Sequence, residues 1–281
     1  MTDAVVLAGG TIPDREASFR EAVGVPCKSL IPLCGRIMVS YLVDALKAAQ
    51  GVDRVAVVGP ESLQGHPDCH AADLILPESE GRSENLFLGV DAFPEADRVV
   101  MMTSDTPLVT AEMIDDALAA FGPEVDLGYV LVAADTVLTR FADRPAPPPD
   151  DRGRRMPNWV TLGLRDGRFT GTSFLVIKPA AAQKLRGFIK GVFDNRELGN
   201  VVRVLRPVFG LCFLLKVALV LKCPRASGLV GVADVENRLS RGLGLVCRSY
   251  VSPYAEMAFD VDHLTDVLLA EEVLRARELG V

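Results

Sequence analysis

The run Val5-Val6-Leu7-Ala8 ending in Gly9-Gly10 constrains this chain more than any other stretch. A short apolar segment bounded by glycine reads as a buried strand, and paired glycines let the backbone turn sharply and approach a ligand with no side chain between them. Amides exposed in such a turn hold anions such as phosphate oxygens. Downstream, Lys28 in Pro26-Cys27-Lys28-Ser29-Leu30-Ile31-Pro32-Leu33 offers a compact positive charge to the same anion. The commoner phosphate loops are excluded, because the glycines of the GxGxxG and GxxxxGKS/T patterns are absent here.

Beyond the turn, apolar runs alternate with helical stretches, the pattern of an α/β protein. Strands are expected over residues 4–8, 55–58, 74–76 and 98–103. Over 38–49, Val39, Leu42, Val43 and Leu46 share the spacing of one helix face, and 84–92 and 111–121 read likewise. Thr110 stands where an N-cap belongs, with Glu112 in the first turn. Asp105 then falls at the carboxyl end of a strand, where open α/β sheets bind ligands. Residues 144–155, with Pro145, Pro147, Pro148 and Pro149, can continue neither element and are expected to form a mobile loop or lid.

Residues 158–164 and 169–177 flank Asp166-Gly167, a hairpin turn signal, and 183–193 reads as a helix. The most apolar run, 208–221, falls short of the roughly twenty residues that span a bilayer. It reads as a core helix, with a lipid-facing or apolar-substrate wall as the alternative. Residues 249–259 are expected to be extended and 264–279 to form a closing helix. The fold class is α/β, a Rossmann-like mixed sheet flanked by helices, in one domain of residues 1–281. Within it, 1–143 is the half that carries the nucleotide-gripping turn, 144–250 an insertion with a helical segment, and 251–281 a second acidic strand with the closing helix.

With 281 residues and 49% hydrophobic content, the chain can bury a large core, and the apolar content is compatible with a homodimer. A net charge of -7 and a pI near 5.1, with basic residues scattered, argue against a nucleic-acid surface and for a nucleotide as partner. The six cysteines (Cys27, Cys34, Cys69, Cys212, Cys223, Cys247) show neither CxxC pairs nor zinc spacing and read as reduced thiols. No charged segment followed by an apolar one precedes Val5, and no transmembrane segment is expected, so a cytoplasmic location is.

Phosphates held by such a turn carry negative charge that must be neutralised. Magnesium does so with one or two protein carboxylates, because it keeps water and phosphate oxygens in its octahedron. Asp105, in Ser104-Asp105-Thr106-Pro107 just after an apolar strand, is one candidate, its plain alternative being a turn-forming aspartate. In Phe259-Asp260-Val261-Asp262, a strand would send both acids to one face, while Asp262 could instead cap the helix that begins near Leu264. His66, His70 and His263 read as surface or loop residues, since a phosphate-oxygen nucleophile is already ionised and needs no base.

Four blocks occur together: LAGG at 7–10, KSLIPLCGRIMVSYLVDAL at 28–46, SDTPLVT at 104–110 and FDVDHLTDV at 259–267. In that order they resemble the NTP-transferase superfamily typified by molybdenum-cofactor guanylyltransferase, with sugar-phosphate nucleotidyltransferases and methylerythritol-phosphate cytidylyltransferase as wider relatives. The resemblance implies a glycosyltransferase-A-type sheet and magnesium-dependent transfer from a nucleoside triphosphate to a small phosphorylated acceptor, with pyrophosphate released. It implies Lys28, Asp105 and Asp262 as catalytic, Asp105 and Asp262 as Mg2+ ligands, and Asp260 as an orienting or acceptor-contacting residue. Nucleotide binding would fall to Leu7, Ala8, Gly9, Gly10, Lys28, Ser83, Asn85 and Ser104, with Arg15 or Arg20 assisting from the glycine-rich loop. Ser83 and Asn85 could equally cap their helix. Thr170 and Gly171 lie where relatives build the acceptor pocket. Two other readings share parts of the pattern. A nucleotide-sugar glycosyltransferase would usually carry a DxD at the end of a central strand, where this chain has Ser104-Asp105-Thr106. A non-catalytic nucleotide-binding module would bind without turnover.

Overall fold

The N-terminal apolar run becomes β1 (Thr2–Leu7), an interior strand of a mixed sheet. Ala4 and Val6 enter one buried cluster and Val5 the other, so the strand is covered on both faces and reads as a continuous run. The computed structural model describes residues 1–13, 16–144, 159–193 and 198–280. Parallel to β1 on either side lie β4 (Val55–Gly59) and β6 (Arg98–Thr103), and β5 (Leu74–Pro77) extends the sheet beyond β4. With β7 (Leu127–Ala133), β9 (Gly167–Ile177) and β10 (Cys247–Ser252), the order is β10-β7-β9-β6-β1-β4-β5. Only β9 in this path runs antiparallel to its neighbours β6 and β7. β8 (Leu162–Leu164) folds back on β9 through the expected Asp166-Gly167 turn, where Gly167 has φ of 140°. A separate two-strand ribbon pairs β2 (Pro32–Leu33) with β3 (Arg36–Ile37).

One face of the sheet is covered by α2 (Met38–Ala48), α4 (Ala111–Ala119), α5 (Ala134–Arg140) and α10 (Leu264–Leu279). The helix face expected on α2 is realised, with Val39, Leu42, Val43 and Leu46 all fully buried. The other face carries α3 (Arg82–Asp91) and α6 (Pro179–Phe193). Gly89 allows α3 to lie directly on β1, since a Cβ there would stand 2.2 Å from Val5 Cγ1. The loop after β1 contains α1 (Ala17–Val23), and Ile12 N–H donates to the Pro26 carbonyl at 2.8 Å to close it. Between α6 and β10 the chain forms α7 (Leu198–Phe209), α8 (Leu211–Lys222) and α9 (Val232–Leu243).

Two expectations change. Residues 208–221 do not form one core helix: Gly210, at φ of 74°, breaks the run, and the helical parts on either side are bent by 118°. In α8 only Phe213 and Val220 are buried, because the helix needs just one face to cover β8, and its remaining leucines meet solvent. No single helix among the described residues is long and apolar enough to cross a membrane. Residues 249–259 are not extended throughout, as β10 ends at Ser252 and a 3-10 turn occupies Ala255–Ala258. The segment 144–250 contributes to the main sheet as well as carrying a helical excursion. Its long apolar strand β9 is sandwiched between β6 and β7 in the main sheet, leaving α7 to α9 as the excursion. Of the proline-rich stretch, Arg144 is buried and residues 145–155 lie outside the described residues.

Candidate functional site

The carboxyl ends of β1, β4 and β6 share one edge of the sheet, and the predicted residues gather there. Asp105 follows β6, with the Thr103 hydroxyl donating to its carboxylate. Its carbonyl accepts a hydrogen bond from Val261 N–H at 2.9 Å, which fastens the C-terminal segment to the end of the strand. Residues 259–262 form no regular strand, yet the expected alternation holds: Phe259 and Val261 are fully buried, leaving Asp260 and Asp262 on the opposite side. Lys28 opens a 3-10 turn, Lys28–Leu30, and its ammonium pairs with Asp262. The turn is set beside the Gly9-Gly10 loop by Cys27, whose thiol reaches the Ala8 carbonyl at 3.4 Å and Ser29 Oγ at 2.8 Å.

Three carboxylates thus lie near one another with Lys28 paired to Asp262, and their protonation reflects it. Burial, then the charges of Asp262 and Asp105, push the Asp260 carboxyl up to about 7. Burial would raise Asp262 as well, but the Lys28 ammonium pulls it below the ordinary carboxylate value. Burial opposes the charge on Lys28, while Asp262 and Asp105 together hold its pKa above the ordinary value. No group of three or more His, Cys, Asp or Glu side chains among the described residues converges as a ready metal cage. The local donors are hard carboxylate oxygens, the type suited to magnesium.

Asp262 does not cap α10. Asp266 takes that role, one carboxylate oxygen accepting from His263 N–H at 2.9 Å and from Asp262 N–H at 3.0 Å. Its other oxygen accepts from Arg144 at 2.9 Å, in an ion pair almost wholly removed from solvent. The Arg144 guanidinium lies over the Trp159 ring at 4.4 Å and near Phe259 at 5.3 Å. Arg144 and Asp266 therefore hold the backbone of Asp262 in place. Neither was singled out in the sequence. Asp266 stands at the third position of a helix, where acids cap, and Arg144 opens a stretch that reads only as loop.

Around the glycine turn, Gly10 N–H donates to Glu78 Oε2 at 2.7 Å, and a Cβ on Gly9 would meet that same oxygen at 2.2 Å. A carboxylate thus occupies the anion-binding amide, on a residue whose only sequence signal is its place immediately after β5. Asn85 lies beside Gly9, its Oδ1 accepting from Ser79 N–H at 2.6 Å. Gly81, rather than Ser83 or Asn85, is the N-cap of α3, and Ser83 is fully buried. Ser104 is also buried, and its N–H donates to the Leu7 carbonyl at 3.1 Å, bracing the loop from below. Arg15 lies outside the described residues. The pairing of Met101 with Leu175 carries Gly171 and Thr170 past the end of β6 to the edge that holds Asp105. There Thr170 is buried, and Tyr129 Oη leans over Gly171, 2.3 Å from where a Cβ would be.

Known proteins share this arrangement of strands and turn. The chain is 27% identical over 286 residues to the bifunctional protein GlmU of Rhodospirillum rubrum, a match covering 98% of this chain and 53% of that protein. It spans about half the length of that relative. It is 28% identical over 177 residues to the phosphoenolpyruvate guanylyltransferase of Sphaerobacter thermophilus, covering 58% of this chain and 84% of that protein. Among solved structures, a hypothetical transferase from Thermus thermophilus superposes with a TM-score of 0.73 at 29% identity, over 95% of this chain and 100% of that one. The family described as MobA-like NTP transferase domain matches residues 4–186, a range that takes in the glycine turn, Lys28 and Asp105, and the chain belongs to that nucleotidyltransferase family.

Proposed function

We propose that the protein transfers a nucleoside monophosphate from a nucleoside triphosphate to a small phosphorylated acceptor in the cytoplasm, with Mg2+ at Asp105 and Asp262 and release of pyrophosphate. The observation that carries this reading is the hydrogen bond from Val261 N–H to the Asp105 carbonyl, which brings Asp260 and Asp262 to Asp105 beside Lys28. Three neighbouring acids, of which only Asp262 pairs with Lys28, leave a negative surplus suited to a hard cation, and two carboxylates suffice for magnesium, whose other positions phosphate oxygens and water fill. When bound, the metal would neutralise triphosphate charge and polarise the reacting phosphoryl group.

The remaining work falls to the chain itself. Leu7 to Gly10 would hold phosphate oxygens on backbone amides, once Glu78 releases Gly10 N–H. Lys28, now paired with Asp262, would turn to the triphosphate and offset the charge that builds as the bond to pyrophosphate breaks. Asn85 faces the same turn, where the base or ribose would lie. Thr170, Gly171 and Asp260 line the acceptor side, and in-line placement of the two substrates supplies most of the rate.

The test is pyrophosphate release with each of the four ribonucleoside triphosphates against phosphorylated sugars, polyols and pterins, with magnesium and with EDTA. One productive, EDTA-sensitive pair is expected. Failure of every triphosphate to turn over or to shift the melting temperature would sink the reading.

A further inference from the structure

α8 packs on β8 through Phe213, Val217 and Val220, the spacing of one helix face. On the opposite face Leu211, Leu215 and Leu219 follow at four-residue intervals and are 49%, 61% and 49% exposed. Leu221 and Leu229 add further uncovered aliphatic surface. Contiguous apolar surface of this kind marks a binding face rather than ordinary solvent exposure.

Two observations say what covers it. Residues 198–243 hold seven basic side chains against two acidic ones, a net charge of +5 within a chain of net charge -7, so the remainder carries -12. Lys216 and Lys222 sit on α8 itself and are exposed. In addition, Asn200–Phe209 and Leu211–Lys222 together have the length and apolar composition of a membrane-crossing stretch, bent by 118° at Gly210. We propose that this excursion docks on an anionic lipid bilayer, with Leu211, Leu215 and Leu219 entering the boundary between headgroups and acyl chains and Lys216 and Lys222 meeting lipid phosphates. The acidic remainder of the molecule is repelled from such a surface, which orients the protein with α8 toward the lipid. A second copy of the chain fits the face poorly. Self-association would bring two segments of charge +5 together, and the ladder has none of the aromatic anchors that dominate protein interfaces. This docking stands independently of the proposed nucleotidyl transfer.

The experiment is co-sedimentation of the whole protein with vesicles of equimolar phosphatidylglycerol and phosphatidylcholine, and with phosphatidylcholine alone. Sedimentation with the anionic vesicles only is expected. Lys216→Glu should weaken it roughly fivefold or more, and Leu215→Glu about tenfold. Both positions are exposed, so folding should persist, and circular dichroism melting checks that it does. No sedimentation with anionic vesicles, equal binding to neutral ones, or binding undiminished in both variants would overturn the proposal. So would a lipid-free dimer, seen by sedimentation equilibrium at micromolar concentration, that Leu215→Glu dissociates.

Discussion

The edge of the sheet at Asp105 and the outer face of α8 are both places where the fold leaves something uncompensated, and they differ in what is left. At the sheet edge it is charge: Asp105, Asp260 and Asp262 lie together, Lys28 pairs with Asp262 alone, and Asp260 is pushed up to about 7. On α8 it is aliphatic surface, with Leu215 more exposed than covered. A charge surplus is relieved by a cation or a phosphate-bearing ligand, and bare leucine by another apolar surface. The two regions should therefore respond to different perturbations, and substitutions can separate them.

The largest separation should come from Asp105→Asn. It is expected to lower turnover by about a thousandfold, the scale of losing a principal electrostatic contact, while Leu215→Glu leaves turnover unchanged. Equal loss in both variants, measured as pyrophosphate release, would erase the distinction. Next in size is the frame behind the site. Arg144→Met strands the buried Asp266 carboxylate, and breaking such a pair costs about 3–5 kcal/mol. Urea unfolding would register that loss, and a cost near zero would mean that Asp266 does not depend on Arg144.

A comparison of helices sharpens the point about α8. Leu42→Ala, on the fully buried face of α2, should cost about 2–5 kcal/mol. Leu215→Ala should stay within about 0.5 kcal/mol, as exposed substitutions do. Similar losses at the two positions in denaturant titrations would show that the α8 ladder is covered in the folded protein.

A further expected effect is on the pH dependence of stability without metal. Asp260 is raised from 3.8 to about 7 by burial and its acidic neighbours, so between those values the folded chain holds a proton that the unfolded chain has lost. Stability should fall as pH rises from about 4 to about 7 and then level off. Asp262, lowered by Lys28, contributes the opposite sign at the acid end, losing stability as pH falls below its ordinary range. Thermal unfolding in EDTA across this window checks both, and Asp260→Asn should remove the decline toward neutral pH.

Much of the fold is legible in short-range pattern. Strands β1, β4, β5 and β6 and the buried face of α2 emerge where expected because alternation and helical spacing act over a few residues. The same holds for the β8–β9 hairpin, whose turn is written in Asp166-Gly167. Glu78 escaped notice because a lone acid after a strand has no periodic signal, and its contact with Gly10 comes from the loop that follows β5. Arg144 and Asp266 escaped it because their pairing joins residues far apart in the chain.

By itself, then, the sequence determined the local elements, the glycine turn after β1, and the identity of the acids and the lysine as candidates. Only the tertiary structure decided that Asp262 is released from capping by Asp266, and that Val261 is tied to Asp105 so that the acids gather and Lys28 pairs with Asp262. Only it decided, too, that the most apolar run buries one face through Phe213 and Val220 and leaves Leu211, Leu215 and Leu219 at the surface. The physical reason is the same in each case: charge pairing and burial depend on what lies across space, and neither the partner of a carboxylate nor the cover of a leucine is encoded within one helical turn.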